Sequence, residues 1–75
     1  MIKKIVTGEM PFQVQAHSFS VYSEAGYTLN YSADGVHYTA YSDATPAGET
    51  LIVNGVAKGM FFKLAGNTGE ATITF

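Results

Sequence analysis

Cysteine is absent from this 75-residue chain. That absence excludes disulfides, thiolate metal sites, iron–sulfur clusters and cysteine nucleophiles together, and it leaves the redox compartment open. Arginine is absent too, and the four basic residues are all lysine. Between Ile5 and Ala57 there is no Lys or Arg at all, whereas Glu9, Glu24, Asp34, Asp43 and Glu49 are acidic. Phosphate binding needs clustered Lys or Arg, so nucleic acid is not an expected partner. The Lys3-Lys4 pair reads as a solvated start to the chain. Charged residues make up 13% of the sequence, about half the usual fraction, so the solvent face has to be built from Ser, Thr, Asn, Gln and Tyr.

Long hydrophobic runs are missing as well. Lys3 and Lys4 begin like the basic region of a signal peptide, but no apolar run of seven or more residues follows, and the expectation is a soluble product without an export signal. Gly59-Met60-Phe61-Phe62 is far too short to span a bilayer. A chain of this length amounts to one domain, residues 1-75, and buries only about 60% of the surface its unfolded form exposes. With disulfides unavailable, partners or further copies are the expected supplement to a small core.

Apolar residues are 47% of the sequence, and they recur mostly at every second position. Turn residues punctuate them every eight to twelve positions or so, which predicts an all-β domain without helices. Lys3 to Thr7 reads as a short strand stopped by Gly8 and Met10-Pro11. Phe12, Val14 and Ala16 alternate with polar residues, then Phe19 and Val21 continue with the opposite parity. That switch predicts a bulge or kink near His17-Ser18. Tyr27, Leu29 and Tyr31 form a half-buried strand, turned by Asp34-Gly35 as a tight hairpin in which both residues take positive φ. The returning strand is His37 to Tyr41. Leu51-Ile52-Val53, Met60 to Ala65 and Ala71 to Phe75 complete about seven strands, with turns at Asn54-Gly55 and Gly66-Asn67-Thr68-Gly69. A compact antiparallel β-sandwich follows, with a partly open small barrel as the alternative.

Signals for chemistry are sparse. His17 and His37 lie in strands with no triad or metal-ligand spacing beside them; Asp34 and His37 together still fall short of the three or four groups a zinc site needs. No serine sits in a Gly-x-Ser-x-Gly elbow, and no glycine cluster cradles phosphate. The carboxylates lie in or beside turns, where a glycosidase pair would have to assemble across loops. The reading is of a non-catalytic protein with no catalytic, metal or cofactor site. Contact residues are a different matter. Tyr38 and Tyr41 have opposite parity, so one of them faces outward, offering rigid apolar area with a hydroxyl. Phe61 points away from Met60 and Phe62, so in a central strand it has to be covered by a loop or by another molecule.

The run Tyr31-Ser32-Ala33-Asp34-Gly35-Val36-His37-Tyr38-Thr39 resembles the strand–turn–strand of β-sandwich adhesion modules, including discoidin-type domains. Together with Pro46-Ala47-Gly48-Glu49-Thr50, Asn54-Gly55-Val56 and Lys58-Gly59-Met60-Phe61-Phe62-Lys63-Leu64, the stretch from Tyr27 to Phe75 more closely resembles small β-sandwich virion proteins of tailed bacteriophages, of the head-decoration or head-fibre type. That resemblance implies a capsid-bound or fibre-borne structural protein of the virion, often oligomeric, and the outward parity of Phe61 makes an apolar patch including Phe61 or its neighbours the expected docking surface. Its partners would be other virion proteins or copies of itself. The alternative expectation is a small carbohydrate-binding module that uses an outward tyrosine on a cell-surface glycan.

Overall fold

A computed structural model describes the whole chain, Met1–Phe75. It contains eight strands and no helix: β1 (Lys3–Thr7), β2 (Phe12–Val14), β3 (Ser18–Ser23), β4 (Thr28–Ser32), β5 (Thr39–Ala40), β6 (Thr50–Asn54), β7 (Met60–Ala65) and β8 (Glu70–Thr74). They form two antiparallel four-stranded sheets, ordered β1-β8-β3-β6 and β2-β7-β4-β5. No ladder joins the sheets, so the domain is a sandwich of open sheets and not a barrel.

The pairing has a simple logic. β1 pairs with β8, β2 with β7, β3 with β6 and β4 with β5, as in one long hairpin folded at its middle. The pairs β3·β8 and β4·β7 are then made by rolling that hairpin up. Eight strands arranged this way are a jelly roll, an architecture shared by viral capsid, lectin and cupin domains. Only β4 and β5 are neighbours in both sequence and sheet; every other connection crosses from one sheet to the other.

This crossing explains two departures from the sequence reading. The parity switch between Val14 and Phe19 is not a bulge. Residues 15 to 17 carry the chain from β2 in one sheet to β3 in the other, where inward-facing positions fall on odd numbers, and the expected seven strands become eight. Asn54-Gly55 likewise leads from β6 to β7 across the sandwich and closes no hairpin.

Strands form where β-branched and aromatic residues alternate with polar ones, because only one face of each sheet can be buried. Twelve apolar side chains from both sheets meet in one core. At its centre Phe62 is fully buried, with the Phe19 ring edge-on at 4.8 Å and Phe12 stacked at 5.8 Å. The domain measures 28 × 26 × 19 Å, room for the interdigitated inward side chains of two sheets about 10 Å apart.

One end of the sandwich is tied by polar groups. Asn67, almost fully buried, donates from Nδ2 to the Gly8 carbonyl at 3.0 Å and the Gly69 carbonyl at 2.9 Å, and its Oδ1 accepts from the Ser23 hydroxyl at 2.8 Å. Nearby, Glu9 accepts the Gly66 N–H at 2.7 Å. Three connections that are distant in sequence are thereby fastened together, with each buried polar group satisfied, as a low-dielectric interior demands.

Candidate functional site

Phe61 lies on the outer face of the second sheet, in β7 between β2 and β4, level with Gln13 and Ser32. It is half-buried, and its cover is the chain's own β4–β5 loop. A Cβ built on Gly35 would stand 3.4 Å from three carbons of the Phe61 ring. Gly35 takes φ +78°, a conformation that side-chain-bearing residues seldom adopt.

The same loop differs from the expected tight hairpin. Asp34 does not take positive φ, and the returning strand is only Thr39–Ala40 instead of His37 to Tyr41. The cause is local hydrogen bonding. Asp34 Oδ1 accepts the Val36 and His37 N–H groups at 2.8 and 2.9 Å and the Ser32 hydroxyl at 2.8 Å. Ser32 Oγ in turn accepts the N–H groups of Asp34 and Gly35. Backbone donors that a longer strand would have paired are taken up by side chains, as Asp and Ser do in turns.

Asp34 Oδ2 also meets His37 Nδ1 at 2.7 Å in an exposed pair. That contact first, then the backbone N–H groups of His37 and Val36 and the Ser32 hydroxyl, hold the Asp34 carboxyl well below the usual carboxylate range. The arrangement fixes a loop and prepares no nucleophile, since the Ser32 hydroxyl donates to Asp34 and not to the imidazole. His17 is on another connection, where Nδ1 lies 2.7 Å from the Val56 carbonyl and therefore carries the proton it donates. No three His, Cys, Asp or Glu residues converge as a metal site would require.

The tyrosines divide as follows. Tyr41 is half-buried and packs edge-on against Tyr31, ring centroids 6.4 Å apart, at the margin of the core. Tyr38 folds over the outer face of the second sheet, where Lys63 Nζ stands 4.6 Å from its ring centroid, within cation–π range. Its hydroxyl is buried and has no hydrogen-bond partner. Tyr27 is buried, which pushes its hydroxyl up in pKa, partly offset by the Thr45 side chain. Tyr38, Tyr41 and Phe61 are thus brought onto or beside one sheet, each substantially covered by its own chain.

The exposed large apolar residues that lie in strands are all on the other sheet. Its outward positions line up as Ile5, Thr72, Tyr22 and Thr50 in one row and Lys3, Thr74, Ser20 and Ile52 in the next. Ile5 is 53% exposed, Tyr22 41% and Ile52 59%. Apart from Lys3 and Glu70, no strand residue on this face is charged. Reading the sequence for contact residues passed over all three, although parity could have found them. Ile5 precedes the inward Val6, Tyr22 follows the inward Val21, and Ile52 stands between Leu51 and Val53. Two shallow hollows complete the surface. One of about 400 Å3 lies beside Tyr27, Thr45, Pro46 and Ala65, and one of about 350 Å3 lies between Met1, Phe19, Ile52 and Phe75. Neither is lined by a charged side chain.

No family model, curated protein or solved structure matches the chain.

Proposed function

We propose that this chain is a non-catalytic structural protein of a tailed-phage virion, decorating or attached to the capsid or a fibre, with other virion proteins or copies of itself as partners. The observation that carries the reading is the charge-poor outer face of the β1-β8-β3-β6 sheet, with Ile5, Tyr22 and Ile52 open to solvent on a domain whose core holds only twelve buried apolar side chains. Exposed apolar residues grouped on one face, mixed with small hydroxyl side chains, suit a protein surface more than they suit isolation. The jelly-roll order adds an argument by analogy only, since that architecture recurs in capsid domains but hosts other functions too. Phe61, covered by its own loop, gives way to Ile5, Tyr22 and Ile52 as the docking residues.

Quantitative mass spectrometry of purified particles of the encoding phage should find the chain in many copies per particle. A Tyr22→Asp variant should fold and yet bind those particles at least about tenfold more weakly, since a hot-spot aromatic contributes on the order of 2 kcal/mol. A chain confined to the infected-cell lysate and missing from particles overturns the reading.

A small carbohydrate-binding module is the second reading, favoured by one observation: Tyr22 is exposed on the outer sheet face between Thr72 and Thr50. A glycan array separates the two, because hits lost on Tyr22→Ala support sugar binding and a blank array excludes it.

A further inference from the structure

The four edge strands are not alike. An open edge offers unpaired N–H and C=O groups to any passing strand, and proteins guard such edges with short length, proline, charge or bulges. β5 has two residues, β2 has three and follows directly on Pro11, and β1 carries Lys3 and Lys4. β6 has none of these guards. Its five residues, Thr50-Leu51-Ile52-Val53-Asn54, include no charge, proline or glycine, and all five are in register with β3 without a bulge. Outside that ladder, no backbone hydrogen bond reaches Thr50–Asn54.

We propose that β6 is a strand-addition site for β6 of a second copy of this chain. The two strands pair antiparallel about a two-fold axis through Ile52 and join two four-stranded sheets into one continuous sheet. The strand is suited to its own copy. Centred on Ile52, the register sets Ile52 beside Ile52 of the second copy, Leu51 beside Val53 and Thr50 beside Asn54, matching apolar with apolar and polar with polar. Ile52, more than half exposed in the single chain, gains an apolar neighbour about 5 Å away on the outer face. Leu51, half-buried at the margin of the core, is covered from the side. With no charge in the strand, nothing repels across the axis and nothing selects a charged peptide instead.

Five paired residues span only about 17 Å, and the contact is well below the roughly 800 Å2 per partner of a standard stable interface. Association is therefore reversible and depends on concentration. The inference does not rest on the virion reading, because it is tested on the isolated chain.

Sedimentation velocity from about 10 µM to about 1 mM, the range in which contacts of this size act, should show a monomer–dimer equilibrium. Ile52→Lys puts two ammonium groups side by side and should raise the midpoint at least about tenfold. Val36→Lys, on the exposed β4–β5 loop away from the β6 edge and outside the proposed docking face, should leave it within about twofold. Ile52→Thr provides a milder variant that keeps the β-branch should the lysine unfold the domain. In the wild-type chain, β6 amides directed away from β3 should exchange more slowly as the dimer fills. A chain that stays monomeric at about 1 mM, equal shifts for Ile52→Lys and Val36→Lys, or a dimer with unprotected β6 amides overturns the proposal.

Discussion

The Ser23 hydroxyl donates to Asn67 Oδ1 at 2.8 Å inside the sandwich, joining residues 44 positions apart. Two carbonyls beside Nδ2 and one hydroxyl beside Oδ1 fix the amide orientation, and Ser23 Oγ accepts the Ala25 N–H at 3.1 Å. Asn67→Ala leaves the Gly8 carbonyl and the Ser23 hydroxyl proton without their partner, whereas the Gly69 carbonyl keeps the Gly8 N–H at 2.9 Å. Its expected cost is about 2–4 kcal/mol, since each unsatisfied buried group costs about 1–3 kcal/mol. Ser23→Ala should cost less, and the double variant should cost less than the sum, because both remove the same bond. Urea unfolding of the four proteins in the cycle checks this.

Gly35 and Phe61 form the second tie. With φ at +78° and the ring 3.4 Å from where a Cβ would be, Gly35→Ala adds both backbone strain and crowding. The left-handed conformation alone costs about 1–2 kcal/mol for a residue with a side chain. Phe61→Asp should also destabilise, by exposing the loop's seat and placing a second carboxylate near Asp34. Amide exchange should locate both losses in residues 33 to 38. A Phe61→Asp protein as stable as wild type would show that the loop does not rest on the ring.

How far the sequence could be read differs from element to element. The bounds of β1 and β7 follow directly from alternation, as Lys3–Thr7 and Met60–Ala65. The stretch from Phe12 to Val21 does not, because alternation reports inward against outward and is silent about which sheet a residue belongs to. Asp34-Gly35 was legible as a turn, but its type was decided by Ser32 and Asp34 side chains competing for backbone donors. Asn67 in Gly66-Asn67-Thr68-Gly69 looks like any turn asparagine. Its burial exists only because the β1–β2 and β7–β8 connections meet beside Ser23, a consequence of the rolled topology that no local pattern encodes. The exposed Ile5, Tyr22 and Ile52 were within reach of parity, whereas the cover over Phe61 required knowing where residues 33 to 38 fold.

Acid should loosen that cover. The Asp34 carboxyl is held below its ordinary value of about 3.9 by His37, the Val36 N–H and the Ser32 hydroxyl. A folded pKa below the unfolded one binds fewer protons in the native state, so the contribution is fully present above about pH 4 and is lost as pH falls through the lower folded value. NMR titration should show the Asp34 carboxyl resonance still ionised at pH 3 or so, with the Val36 and His37 amides shifting only below it. Asp34→Asn should abolish that shift while leaving the titration of the other carboxylates in place. An Asp34 midpoint at or above the ordinary value would contradict the hydrogen-bonding pattern.

Tyr38 offers a test that separates packing from recognition. Its ring lies under Lys63 Nζ at 4.6 Å, and its hydroxyl is buried without a partner. A buried, unpaired hydroxyl is a cost, of about 1–3 kcal/mol in full desolvation, whereas the cation–π contact needs only the ring and contributes about 0.5–1 kcal/mol at a half-open site. Tyr38→Phe should therefore leave the domain as stable as wild type or more so, while Tyr38→Ala should weaken it and free the Lys63 ammonium, which NMR would detect as loss of the ring-current shift on its terminal methylene. Were Tyr38 instead a contact residue whose hydroxyl reaches a sugar or a partner protein, Tyr38→Phe would reduce binding with stability unchanged. Unfolding and particle-binding measurements on the same three proteins decide between these roles, and the buried position of the hydroxyl favours packing.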